Sequence, residues 1–385
     1  MRKIILGLAV LSFLVLSCCI IFADNNKRSV VVIGGSTACL YKDDGQHIIK
    51  KSGWIDSFSS YAGNGYNVEN FTKQGQSLSD VINTEIFEKT LEDLDEEDIV
   101  LLQIEEIDYT KENFTDNLEY LIEVSDNNGY RLILILPYHS KAYYTSGLKN
   151  VFYKDDDIVQ LTESNAVDII DPNFKSKDKD RDIYEFVYSV YKDKSKGYDH
   201  EGFNYIYADC YGRALADYLN TGDFNIEKTS YKITRGMFIS QLLKFANQEM
   251  IDGDSFSDVK ETDEFYEDIV TAKALGIVSG YDSNFYPNDE ISCGDACLIA
   301  ANLLELKGHK LDKFIKETLL FPNVENEYQR MIKLYADVMG VEPYAAEATV
   351  DLLMCKVYMN ATDVDSQKTF TILAIYRYVY DELYN

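Results

Sequence analysis

Ser36 is the side chain here best placed for nucleophilic chemistry. It follows the apolar run Val30-Val31-Val32-Ile33 across Gly34-Gly35, where a strand must turn sharply. A hydroxyl on such a turn can attack a carbonyl if a base takes its proton and donors hold the oxyanion. It can equally sit there because only a small residue fits. The chain has four histidines, at 47, 139, 200 and 309. His200 stands beside Asp199 in the run Tyr198-Asp199-His200-Glu201-Gly202-Phe203-Asn204. It reads as a loop residue that a rearrangement could bring to Ser36. Glu105, Glu106 and Asp108 gather acid after another apolar run. Such carboxylates could hold a cation or work as an acid–base pair. Strand alternation points Glu105 and Glu106 to opposite sides, which reads as a solvated rim.

The elements that must position these groups follow from the apolar pattern. Residues 29–33, 66–70, 98–104, 130–136 and 166–170 read as strands, several nearly continuous in Val, Ile and Leu. Strands buried on both faces need that composition. Helical patterns over 78–91, 114–127 and 205–219 separate them. The rhythm predicts an α/β domain, a doubly wound parallel sheet with helices on both faces. Ligands bind at the carboxyl ends of such strands, here residues 35–41, 71–77, 105–109 and 137–143. Tyr138, Tyr143, Tyr144 and His139 fall on that rim. Tyrosine there suits stacking on sugar rings or ordinary packing.

Composition narrows the setting. Arg2-Lys3 precede an apolar stretch over 4–22, with Ala23 behind it, which reads as a secretory signal peptide over 1–23. An uncleaved anchor and lipoprotein processing at Cys18 are the alternatives. The net charge is −28, and −30 without that segment. A surface so acidic disfavours nucleic acid and anionic lipid. Cys39, Cys210, Cys293, Cys297 and Cys355 are widely spaced, with no disulfide framework or zinc pattern, and read as buried small hydrophobes. No metal or cofactor is expected.

Near residue 222 the strand rhythm stops and a weak helical repeat begins. Thr234-Arg235, Ser292-Cys293 and Ser366-Gln367 each open a helix, with Thr234, Ser292 and Ser366 as N-caps. Between the first two lie Phe256-Ser257-Asp258-Val259, Gly276-Ile277-Val278-Ser279-Gly280-Tyr281 and Phe285-Tyr286-Pro287. This cycle resembles the S-layer homology domain over 234–308, with a degenerate unit over 317–384. The resemblance implies an all-α region that binds a secondary cell-wall polysaccharide. Thr234 and Arg235 fall on the family's polysaccharide-binding positions. Cys293 and Gln367 replace its arginine in the other units and cannot fork two hydrogen bonds onto an acidic sugar.

Residues 24–222 resemble the SGNH (GDSL-type) hydrolases, above all the rhamnogalacturonan-acetylesterase-like branch. Gly34-Gly35-Ser36-Thr37-Ala38 looks like its first block, with Ser36 on the nucleophile position and Gly35 in place of an aspartate. Gly75 falls on an oxyanion glycine. Glu105 and Ile107 replace the glycine and asparagine of the third block. Asp199 falls on the triad acid, and Gly202 stands where the triad histidine belongs. The resemblance implies a flavodoxin-like SGNH fold whose catalytic residues, Ser36 and Asp199, are relics. The expected protein is secreted to the bacterial cell surface. Its wall-binding region spans 234–385, joined by a linker at 223–233 to a non-catalytic domain that serves as a glycan-binding or structural module. The alternative is an unorthodox carbohydrate O-acetylesterase using Ser36.

Overall fold

The computed structural model describes residues 27–137, 158, 167–170, 172, 188–309, 324–354 and 368–384. The chain enters through β1 (Arg28–Gly34), then β2 (His47–Ile49), β3 (Lys51–Ser52), α1 (Ile55–Ala62) and β4 (Tyr66–Thr72). Next come α2 (Leu78–Val81), α3 (Glu85–Glu92), β5 (Ile99–Gln103), α4 (Phe114–Asn128), β6 (Arg131–Ile135) and β7 (Asp168–Ile170). β8 (Tyr188–Tyr191), β9 (Tyr198–Asn204) and α5 (Tyr205–Thr221) complete the α/β part. Among the described residues that follow, the helices are α6 (Arg235–Phe245), α7 (Tyr266–Ala274), α8 (Cys293–Leu306), α9 (Val324–Met339), α10 (Ala346–Thr349) and α11 (Lys368–Tyr384).

Five strands form a parallel sheet in the order β4-β1-β5-β6-β7. This is the flavodoxin-like order that the SGNH resemblance implies. Residues on β1 alternate between two cores: Val30 and Val32 face one, Val31 and Ile33 the other. The predicted helix over 78–91 is instead two helices. Thr84 is extended, and its hydroxyl bonds back to the Val81 carbonyl at 2.8 Å. That local bond competes with helix continuation. Helix α4 ends at Gly129 and α5 at Gly222, each left-handed at φ 81° and 70°.

A second sheet was not foreseen. It is antiparallel, in the order β2-β8-β9-β3. It places His200 within strand β9, not in the loop that the sequence reading expected. The reason is long-range pairing: Ser189 opposes Asp199, and Lys51 opposes Asn204.

The helical region packs directly on this small sheet. Tyr198 Oη donates to Asp381 at 2.8 Å, and its ring meets Tyr380 edge-on. Tyr231 N–H donates to Thr369 Oγ1 at 2.9 Å. The stretch 223–233, expected as a linker, buries Ile226 and Ile233. One hydrophobic cluster runs from Val30 and Trp54 through Tyr207 and Phe238 to Tyr376. Both parts should therefore unfold together. Trp54, the chain's one tryptophan, lies fully buried on the α/β side, while most helix lies on the other. Trp54 fluorescence and far-UV circular dichroism should give coincident urea transitions. Two separated midpoints would show independent units.

Candidate functional site

Three strand ends and the small sheet converge around Ser36. The turn after β1 closes with Cys39 N–H on the Gly35 carbonyl at 3.1 Å. Gly75, in the loop after β4, is left-handed at φ 69°, a conformation that favours glycine. Its N–H donates to Ser36 Oγ at 3.0 Å. Tyr41 Oη donates to the Ser36 carbonyl at 2.7 Å. Ser36 and Gly75 thus stand together.

The third strand end is built differently from the expected solvated rim. Glu105 and Asp108 are buried, and Glu106 is exposed. Glu105 accepts from Thr37 N–H at 2.9 Å and from Thr37 Oγ1 at 2.7 Å. Asp108 accepts from Leu78 N–H at 2.6 Å and Glu105 N–H at 2.8 Å. These carboxylates brace loops, and burial explains their placement. Burial pushes Glu105 up to about 7, against the Thr37 hydrogen bonds that pull it down. Burial likewise raises Asp108 to about 6. A Cβ at Gly35 would lie 2.7 Å from the Gln76 carbonyl and 2.9 Å from Glu105 Cγ. Glu105 therefore fills the space that a side chain at 35 would need. Ile107 caps the short turn Asp108–Thr110 and brings no polar side-chain atom to this rim.

Asp199 is the hub on the other side. Its Oδ2 lies 2.8 Å from His47 Nε2 and 3.0 Å from Lys51 Nζ. Its Oδ1 accepts from Glu201 N–H at 3.0 Å. Burial alone would raise this carboxyl; the bonds from Lys51, the Glu201 N–H and His47 outweigh it and hold it below its ordinary value. The other nitrogen of His47 faces Asp44 at 3.3 Å, and the ring stacks on Tyr191. Both nitrogens of this histidine are committed to carboxylates. Lys51 also reaches Glu201 at 3.2 Å and lies 4.7 Å over the Tyr41 ring. Gln74 donates to the same Glu201 carboxylate at 3.3 Å.

Among the described residues no side-chain acceptor is bonded to the Ser36 hydroxyl. The His200 side chain, and His139, Tyr138, Tyr143 and Tyr144, lie outside what the structure describes. Sequence reasoning missed Lys51, His47 and Tyr41. Nothing in their local sequence signals them; β3 pairing with β9 brings Lys51 to Asp199, and β2 pairing with β8, itself beside β9, brings His47. No group of three His, Cys, Asp or Glu among the described residues could hold a metal ion. Cys39, Cys210, Cys293 and Cys297 are buried free thiols, and Cys355 lies outside the described residues.

A second candidate site lies where α6 and α8 begin. Thr234 Oγ1 caps α6 by accepting from Met237 N–H at 3.2 Å. Arg235 donates through Nε to the Phe285 carbonyl at 2.9 Å and through Nη1 to Asp295 at 2.5 Å. Its guanidinium lies 4.8 Å over the Phe285 ring, and its side chain is 16 % exposed. Tyr344 Oη donates to the other Asp295 oxygen at 2.8 Å. Residues from three successive segments thus meet at Asp295. Cys293 is buried in the first turn of α8, and Gln367 lies outside the described residues.

The comparisons with known proteins bear on these two regions separately. The S-layer homology domain family matches residues 255–297. The match begins after Arg235 and ends within α8. No curated protein matches the chain. Two solved structures are similar to the α/β part. The protein YxiM of Bacillus subtilis is 22% identical with a TM-score of 0.31; the match covers 38% of this chain and 44% of that one, less than half its length. A Bacteroides fragilis protein provisionally assigned as an acylhydrolase is 15% identical with a TM-score of 0.27, over 39% of this chain and 70% of that one. No helix among the described residues is long and apolar enough to cross a membrane.

Proposed function

We propose that this is a bacterial surface protein held on cell-wall polysaccharide by its helical region. The α/β part, 24–222, serves as a non-catalytic, glycan-facing module related to SGNH hydrolases. The segment 1–23 supplies export, and 234–308 and 317–384 are the wall-binding units. The match of 255–297 to the S-layer homology domain carries this reading. On this reading Thr234 and Arg235, which precede the matched span, are the polysaccharide contacts. Arg235 keeps donors beyond the two spent on Phe285 and Asp295, and a guanidinium can fork them onto a carboxylate.

The test is co-sedimentation of the whole chain with purified wall. Arg235→Ala should weaken binding roughly tenfold or more, the worth of charge-assisted hydrogen bonds. Arg235→Lys should weaken it less, since charge survives and the fork does not. Arg235 also braces α8 through Asp295, so circular dichroism must first show both variants folded. Undiminished binding by folded Arg235→Ala would remove Arg235 from the contact.

A second reading rests on the 3.0 Å contact between Gly75 N–H and Ser36 Oγ, an arrangement suited to an esterase of carbohydrate O-acetyl groups. On the first reading, neither a chromogenic acetate nor acetylated glycan should be hydrolysed in a Ser36-dependent way. Turnover abolished by Ser36→Ala would favour the second.

A further inference from the structure

We infer that Lys51 fills the slot in which a proton-accepting side chain would have to stand between Ser36 and Asp199, and that residue 202 is glycine so that Lys51 can cross it. This deepens the non-catalytic reading of the Ser36 cleft and rests on it.

The slot is defined by what surrounds Gly202. A Cβ built there would lie 2.5 Å from Lys51 Cε, 3.0 Å from Lys51 Cγ and 3.2 Å from Tyr41 Oη. Tyr41 Oη is the group bonded to the Ser36 carbonyl, and Lys51 Nζ is the group bonded to Asp199. A side chain at 202 would therefore project between the serine turn and the buried carboxylate. A nucleophilic serine needs its base in such a place, with a third group to orient it. Lys51 denies both. Its stem takes the volume, and its ammonium shares Asp199 Oδ2 with the His47 ring.

Lys51 is not itself a substitute base. Its side chain is only 7 % exposed, and its ammonium is paired with Asp199 and Glu201. An ammonium has three donors and no lone pair. Two antiparallel pairings, Lys51 with Asn204 and Ser52 with Phe203, hold its backbone against β9. The sheet sets where the lysine stem begins, and the ion pairs with Asp199 and Glu201 hold its far end.

The experiment uses the whole chain and a fluorophosphonate, a serine-directed reagent indifferent to the natural ligand. In its reaction Ser36 Oγ bonds to phosphorus, the P–F bond breaks, fluoride leaves, and the serine proton passes to a base. Wild type and Gly202→His should remain unlabelled, because the new imidazole collides with Lys51. Gly202→His with Lys51→Ala should label at Ser36 on the order of 10³-fold faster, since the imidazole then has room and can share Asp199 with His47. Equal labelling of Gly202→His alone, or none in a folded double variant, overturns the inference. Ser36 labelling of wild type that persists in Lys51→Ala would defeat the non-catalytic reading and leave Lys51 without its blocking role. Labelling of wild type that Lys51→Ala abolishes would make Lys51 the base, and also overturns it. Gly202→Ala gives an independent check should the histidine variants not fold. Its single methyl must displace the Lys51 stem, so acetylation of Lys51 by an amine-reactive ester, read by mass spectrometry, should rise severalfold. Unchanged protection would sink the steric claim.

Discussion

Between pH 5 and pH 8 the wild-type protein should lose about 3 kcal/mol of stability relative to Glu105→Gln, at about 1.4 kcal/mol for each tenfold change in proton affinity. Burial raises the Glu105 carboxyl from 4.5 to about 7. Its folded form binds the proton more tightly than its unfolded form. The stabilisation is therefore fully present below about pH 4.5 and lost as the pH climbs through 7. Other carboxylates run the opposite way. Asp80 is held low by its bonds from the Ser77 hydroxyl and N–H, so its contribution is lost on acidification. Comparing wild type with Glu105→Gln at each pH removes those shared terms. Asp108 must stay in both proteins, because its Oδ2 holds the Glu105 N–H and burial raises it as well. Urea midpoints at pH 5, 6, 7 and 8 provide the measurement. Parallel curves for the two proteins would mean that Glu105 keeps an ordinary carboxyl.

Phe203→Ala should cost roughly 3–5 kcal/mol, the usual range for emptying a buried aromatic site. Phe203 is 1 % exposed and lies among Tyr188, Tyr207 and Tyr211, with ring centres 5.0–6.3 Å away. Its backbone opposes Ser52 on one side and Tyr188 on the other. The cavity would therefore open directly behind Gly202 and the Lys51 strand. The loss should appear in the urea midpoint read by Trp54, which lies in the same core. A loss below about 1 kcal/mol would mean that the neighbouring tyrosines collapse into the space.

The parallel sheet was legible because its strands are short apolar runs with nothing else to become. Val30-Val31-Val32-Ile33 and Ile99-Val100-Leu101-Leu102 need burial on both faces, and they receive it. The small sheet was not legible for the opposite reason. Tyr198–Asn204 carries Asp, His, Glu, Gly and Asn among its seven residues, and its partner Lys51–Ser52 is two residues long. Neither has a pattern that separates a strand from a loop. About 150 residues of chain lie between them, so only the folded structure brings them together. The cleft inherits that blind spot. Ser36 and Gly75 follow strands of the parallel sheet and could be paired from sequence. Lys51 and His47 belong to the small sheet and could not. Glu105 looked like solvated rim because an acid after a strand usually is. Its burial depends on Gly35, which leaves room for it across the turn.

The core shared by the two parts also has a mechanical meaning. A domain on a flexible tether sweeps a volume and meets its surroundings at every angle. Here Tyr198 grips Asp381, Tyr231 grips Thr369, and Ile226 and Ile233 are folded into the junction. These contacts seat the helical region on the small sheet that borders the serine cleft. Whatever surface the helices grip, the cleft stands at one height above it and faces one direction.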